Sequence, residues 1–175
     1  MTDAGEWRLV LKLLKEQAFG VLGTNHKGHA YASLVAFAAT ADVRFIYFAT
    51  TRATRKYLNL AADDQVALLV DNRADQALAL YEAAAVTAYG TATEVAAAEH
   101  AEVLQSYLAR HPQLKTFVSS PTTALFRIEV ESYHLVQRFQ NVMNVFGACL
   151  GFIYTTSEIC VGGSNVGVLI RAVTV

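Results

Sequence analysis

"FATTRATRKYLNLAADDQVALLVDNR", residues 48–73, decides the fold. It reads as the end of one strand, a short helix and a second strand. "QVALLVDN" (65–72) is nearly all apolar, the composition of a strand covered on both faces. The helix between them carries Arg52, Arg55 and Lys56 in its opening turn and a half, with no acid beside them. A helix N-terminus is partly positive and favours anions, by roughly 0.3–1 kcal/mol per exposed charge. With Thr51 (or Thr50) at the N-cap, the cations fall at i, i+3 and i+4 on one face, while Tyr57, Leu60 and Ala61 point to a core. Free N–H groups, a threonine hydroxyl and clustered cations would hold a phosphate. A solvated basic face is the other reading of the same charges.

Working outward, the flanks supply strands. Upstream, Trp7, Val10, Leu11 and Leu14 fall at helical spacing and predict a helix over Ala4–Gln17. "AFGVLGT" (18–24), "HAYASLVAFAAT" (29–40) and "RFIYFAT" (44–50) read as strands, with "NHKG" (25–28) a turn between the first two. Downstream, "AVTAYGTATEV" (85–95) is a strand whose Gly90 marks a bulge or a close backbone approach. Residues 97–120 are helical in two pieces split by Pro112. "ALFRIEVESYHLVQRF" (124–139) sets Phe126, Ile128 and Val130 against Arg127, Glu129 and Glu131, a period of two. The expected fold is mainly β: an antiparallel split β-barrel of six or more strands with flanking helices.

A chain of 175 residues suits one core. Its formal net charge of −1 gives no general attraction to nucleic acid or an anionic membrane. No apolar run approaches the ~18–20 residues of a membrane-spanning helix, and "MTDAGEW" lacks a secretory profile, so a cytoplasmic protein is expected. Residues 1–142 form the barrel domain in this reading. Residues 143–175, where only Glu158 and Arg171 are charged, form an apolar, glycine-rich tail packed on the same domain or on a second copy. Phe146, Leu150, Phe152, Ile153, Leu169 and Ile170 would be buried there, and Cys149 and Cys160 would be free thiols.

Other constellations are weaker. His26 and His29 flank a turn, but no acid or cysteine adjoins them to complete a metal site, so no metal is expected. His111 ends a helix before Pro112, and His134 packs beside Tyr133. No phosphate loop, nucleophile elbow or Gly-x-Gly-x-x-Gly occurs. Aromatic and cationic residues do not interleave as on a nucleic-acid platform.

"YASLVAF" (31–37), "FATTRATRKYLNLAADDQVALLVDNR" (48–73) and "AVTAYGTATEV" (85–95), in this order, resemble the FMN-binding split barrel of the pyridoxamine 5′-phosphate oxidase-like family. The likeness runs over about residues 6–140. It implies FMN, with the strand Ser33, Leu34, Val35 and Ala36 beside the flavin ring. It implies Ala49, Thr50, Thr51, Arg55 and Lys56 around the phosphate, and Asn72 and Arg73 reaching from the sheet edge. It also implies a homodimer with the flavin between subunits, and a flavin-dependent oxidoreductase acting on a small-molecule substrate or electron donor. Vitamin B6 oxidases of this barrel carry an Arg-Gln pair where this chain has Ala84 and Ala85, and a closing Trp-and-Arg segment that its tail lacks. The pyridoxal-phosphate site is therefore not expected. A non-catalytic flavin-binding module, a haem-handling relative and a pyridoxamine-phosphate oxidase are the alternatives.

Overall fold

The computed structural model describes residues 3–72, 83–137, 141–147 and 168–172, with side chains over 5–72 and 83–137. Helix α1 (Asp3–Glu16) precedes strands β1 (Phe19–His26), β2 (His29–Ala39) and β3 (Phe45–Thr51). Helix α2 (Arg55–Ala62) leads to β4 (Gln65–Asp71) and β5 (Ala84–Glu94). Helix α3 (His100–Arg110), a 3-10 turn (Pro112–Leu114) and α4 (Lys115–Val118) precede β6 (Thr123–Gln137), β7 (Asn141–Gly147) and β8 (Val168–Ala172).

The strands hydrogen-bond in the order β3-β2-β1-β4-β5-β6, all antiparallel, and β3 also pairs with β6. That last pairing closes a six-stranded barrel, which removes the exposed sheet edges an open sheet would carry. β6 is long enough to serve two partners on one side: Thr123–Glu129 meets β3, and Ser132–Gln137 meets β7. β8 then pairs with β7. The boundary expected at 142/143 falls inside β7. Cys149, Cys160, Arg73 and the expected burial of the tail's side chains lie outside the described residues.

β3 meets β2 only over Phe37–Ala39, whereas β1 accompanies β2 over His29–Ala36. The barrel is split there, and this opening positions the site described below.

Alternation builds the core. Phe126 and Ile128 of β6 face inward against Phe37, Phe48, Leu22 and Leu68, with the Phe48 and Phe126 rings stacked at 5.3 Å. α1 adds Val10, Leu13 and Leu14 to the same core. A second cluster outside the barrel joins Ala38, Tyr47 and Leu125 to Val103, Tyr107 and Val118 of α3 and α4. β4 departs from expectation. Val66, Leu68 and Val70 are buried, but Ala67 and Leu69 are half-exposed. The apolar run therefore holds one core row and one row on the barrel's outer face.

Two backbone features were written in the sequence. Lys27 and Gly28 turn the first hairpin with φ of 51° and 79°, as a two-residue type I′ turn requires. At Gly90 the β5–β6 register shifts, and a Cβ there would stand 2.0 Å from the Glu129 carbonyl oxygen. A third was not legible: Val43 has φ 52°, costly for a β-branched residue. Its burial, and a 2.6 Å hydrogen bond from the Tyr133 hydroxyl to its carbonyl, offset that cost. Among the described residues, no helix is long and apolar enough to cross a membrane.

Candidate functional site

The cationic helix begins later than its sequence suggests. Thr54, not Thr51 or Thr50, is the N-cap of α2, and its hydroxyl accepts the Tyr57 N–H at 3.4 Å. Thr50 and Thr51 belong to β3, where Thr50 Oγ1 meets Thr54 Oγ1 at 2.8 Å. The tertiary pull is the β3–β6 ladder, which holds Thr51 opposite Thr123 and so extends the strand past the first threonines. Arg52 consequently precedes the helix and shares no face with Arg55 and Lys56. Its guanidinium pairs with Glu94 and the Tyr57 hydroxyl. Leu60 is buried as expected and Tyr57 packs on the core, but Ala61 is exposed.

A cleft of about 340 Å³ opens on the barrel's outer side at the split. β2 contributes Leu34, Val35 and Ala36 to its wall, and β3 contributes Ala49, Thr50 and Thr51. Thr54 and Lys56 come from the start of α2, and Tyr107, Leu114 and Phe117 from the α3–α4 corner. β3 and the start of α2 thus bring hydroxyls and an ammonium, while β2 and the α3–α4 corner bring aliphatic and aromatic side chains. Among the described residues no carboxylate lines it.

The polar part of the lining is disposed for an anion. The first N–H groups of a helix have no i−4 carbonyl, so those of Arg55 and Lys56 begin α2 as free donors of that ladder. Burial lowers the pKa of the Lys56 ammonium from its ordinary value. An anion beside it would offset that desolvation. At the α3–α4 corner, burial pushes the Tyr107 hydroxyl up to about 12, so it stays protonated at neutral pH.

Three expected residues stand apart from this wall. Ser33 is on β2, but its Oγ is enclosed without a hydrogen-bond partner, in alternation with the cleft-lining Leu34. The Arg55 guanidinium donates from Nε to Asn59 Oδ1 at 3.2 Å, and buried Asn59 in turn donates to Thr24 Oγ1 at 3.0 Å. Asn72 follows β4, where its Oδ1 accepts the Ala84 N–H at 2.9 Å. It lines a separate cleft of about 260 Å³ with Leu69, Asp71, Ala84, Ala85 and Val136. Arg73 is outside the described residues.

Sequence reasoning missed Thr54, Tyr107, Leu114 and Phe117. Thr54 could have been found, because it precedes "RKYLNLAA" as well as Thr51 precedes its own run. The other three reach the site only through the packing of α3 and α4 on β2 and β3. The place of His111 before Pro112 suggests only a helix end. His111 does cap α3, but it is also buried and its Nε2 donates to the Phe37 carbonyl at 2.7 Å. His134 packs edge-on against Tyr89, ring centroids 4.7 Å apart. A broader polar cleft of about 610 Å³ lies by the first hairpin, between His26, Lys27 and Asp63. Among the described residues no group of three or more His, Cys, Asp or Glu side chains could hold a metal.

The profile of the family described as pyridoxamine 5′-phosphate oxidase matches residues 8–137. Comparison with curated proteins gave no match. Solved structures share the fold at low identity. A protein of unknown function from Agrobacterium tumefaciens is 21% identical with a TM-score of 0.66; the alignment covers 74% of this chain and 55% of that one. An FAD-binding protein from Mesorhizobium loti is 14% identical with a TM-score of 0.59, over 77% of this chain and 94% of that one. HutZ, the haem storage protein from Vibrio cholerae, is 17% identical with a TM-score of 0.65, over 76% of this chain and 94% of that one. This chain therefore spans little more than half the length of the Agrobacterium protein. The matched segment takes in every barrel strand and α2, and on that ground the chain belongs to the pyridoxamine 5′-phosphate oxidase-like split-barrel family.

Proposed function

We propose that this chain binds FMN in the cleft at the barrel split and serves as a flavin-dependent oxidoreductase on a small-molecule substrate or electron donor. The observation that carries the reading is the cleft's mixed lining, donor-rich where β3 and α2 supply Thr50, Thr51, Thr54 and Lys56, and apolar where β2 and the α3–α4 corner supply Leu34, Leu114 and Phe117. That lining matches a phosphate joined to a flat apolar ring. Lys56, the first N–H groups of α2 and the threonine hydroxyls would hold the phosphate. Arg55 joins them by releasing Asn59. Leu34, Ala36 and Phe117 would exclude water from the ring. Bound flavin supplies the hydride and electron chemistry, so the protein's task is to bind, orient and shield.

A second copy of the chain completes this reading. Leu34 and Phe19 are 65% and 56% exposed on the outer face of paired strands, and Phe19 lies opposite cleft-lining Ala36. Large apolar side chains grouped beside a cleft mark a contact surface. A homodimer would cover them and close the cleft from outside. We place the protein in the cytoplasm, consistent with the lack of a membrane-spanning helix among the described residues.

Haem is the competing ligand, since HutZ shares the fold. Haem iron takes a His, Cys, Met or Tyr ligand. Of these types only Tyr107, among the described residues, lines the cleft, and burial keeps its hydroxyl protonated. Flavin is the better fit. The test is the absorbance of the purified full chain after addition of FMN and gel filtration. Retained bands near ~370 and ~450 nm, which are flavin's own, support the reading. Retention of haem but no flavin would replace it.

A further inference from the structure

We propose that Tyr107 and His111 are positioning residues that fix β2 where it parts from β3 and becomes the wall of the cleft. They stand four residues apart, Tyr107 in the last turns of α3 and His111 at its C-cap, where the His111 N–H still bonds to the Tyr107 carbonyl and keeps the two side chains on one face. The Tyr107 hydroxyl donates to the Ala36 carbonyl at 3.3 Å. His111 Nε2 donates to the next carbonyl, Phe37, at 2.7 Å. Both side chains are buried, and their rings lie 5.1 Å apart.

The place of these bonds gives them their meaning. From Phe37 to Ala39 the ladder partner of β2 is β3, and from His29 to Ala36 it is β1, so the strand changes partner between Ala36 and Phe37. Each stretch is therefore held along one edge only, and such a strand opens more readily than one held along two. The two donors meet the chain at the junction, Ala36 and Phe37. Arg110, from the same turn of α3, lies over the Phe37 ring with its guanidinium carbon 5.4 Å from the centroid, and donates to the Gln17 carbonyl just before β1. Tyr107 also lines the cleft, so the clamp and the wall are one structure. The structure thus assigns α3 the task of fixing β2 as one wall of the cleft. Its consequence for flavin rests on the reading above; the clamp itself does not.

The experiment compares the full-length wild type with Tyr107→Phe, His111→Leu and His111→Gln. Phenylalanine keeps the ring and removes the donor. Glutamine keeps a donor and leucine does not. Amide hydrogen exchange of residues 33–36 is measured without flavin, and affinities for FMN and riboflavin are titrated. Tyr107→Phe and His111→Leu should speed exchange of this segment by about five- to tenfold, as expected for one hydrogen bond, while His111→Gln stays near wild type. Both defective variants should lose affinity for FMN and riboflavin by the same factor, because the phosphate-binding residues are untouched. Wild-type protection of residues 33–36, or a rise spread evenly over the whole barrel, would overturn the proposal. So would local loosening with flavin affinity unchanged. If the wild type binds no flavin, the flavin reading fails, and the exchange pattern with its glutamine rescue alone decides the clamp.

Discussion

The guanidinium of Arg52 meets the carboxylate of Glu94 at 3.0 Å and the hydroxyl of Tyr57 at 2.7 Å. Three cations that looked alike in sequence thus have three different roles. Arg52 is neutralised outside the cleft, Arg55 leans on Asn59, and Lys56 faces the cleft. Arg52→Ala should therefore leave FMN affinity unchanged. Stability should change little, since exposed ion pairs contribute little. Titration of FMN into this variant checks the assignment; a large loss of affinity would return Arg52 to the phosphate site.

Lys56 sets function against stability. Its folded pKa is lowered by burial, so the unfolded chain holds the proton more tightly than the folded one. The charged form therefore costs stability below the folded pKa, and that cost fades as pH rises through the folded pKa towards the unfolded value of 10.5. Lys56→Met should raise the Tm of the flavin-free protein at neutral pH, with the gain shrinking in alkali. The stabilisation that FMN gives the wild type should shrink over the same window, because the ammonium that meets the phosphate is lost. Melting curves with and without FMN between about pH 7 and 10 test both signs.

Gly90 faces backbone, not a movable side chain. With its missing Cβ only 2.0 Å from the Glu129 carbonyl oxygen, Gly90→Ala must push β5 from β6. Overpacking of this kind costs typically about 1–3 kcal/mol, occasionally more. Urea unfolding should show a lower midpoint, and a wild-type midpoint would mean that the bulge opens freely.

Phe19 tests assembly. It is 56% exposed in the single chain, so Phe19→Glu should cost a monomer little. In a homodimer the same change buries a charge against an apolar surface and should shift the mass seen by light scattering towards the monomer. A wild type that is already monomeric would remove the shared-cleft argument.

Ala84 and Ala85 test substrate. Ala84 is buried, and both line the cleft that holds Asn72, with no cationic side chain among the described residues that line it. The flavin-loaded protein should show no turnover of pyridoxamine phosphate near the ordinary enzyme range of ~1–10³ s⁻¹. A peroxide assay checks this directly.

The strands were legible because their signals are local. Alternation in β6, glycine at the bulge and the two-residue hairpin turn each act within a few residues. What misled was apolar content: "QVALLVDN" suggested a strand covered twice, yet Leu69 and Ala67 lie on the barrel's outer face. The start of α2 was misplaced because three threonines, Thr50, Thr51 and Thr54, can each cap a helix, and the β6 ladder chooses among them. The cleft's polar lining was therefore readable as a set of residues, but Tyr107, Leu114 and Phe117 were not. They are brought to β2 by helix packing across some seventy residues of sequence, as the Tyr107–Ala36 bond shows, and no local pattern encodes that.

The most direct measurement is a parallel titration of FMN and riboflavin into the wild type and the Arg55→Ala/Lys56→Ala double variant. The wild type should prefer FMN, and the double variant should bind FMN about a hundredfold more weakly, the loss of roughly 3 kcal/mol expected for two charge-assisted hydrogen bonds. Most of that loss should come from Lys56→Ala alone, since Arg55 must first leave Asn59. Riboflavin affinity should be weak and the same in both proteins. Wild-type FMN affinity in the double variant, or equal affinity of the wild type for the two flavins, would contradict a phosphate bound at the start of α2.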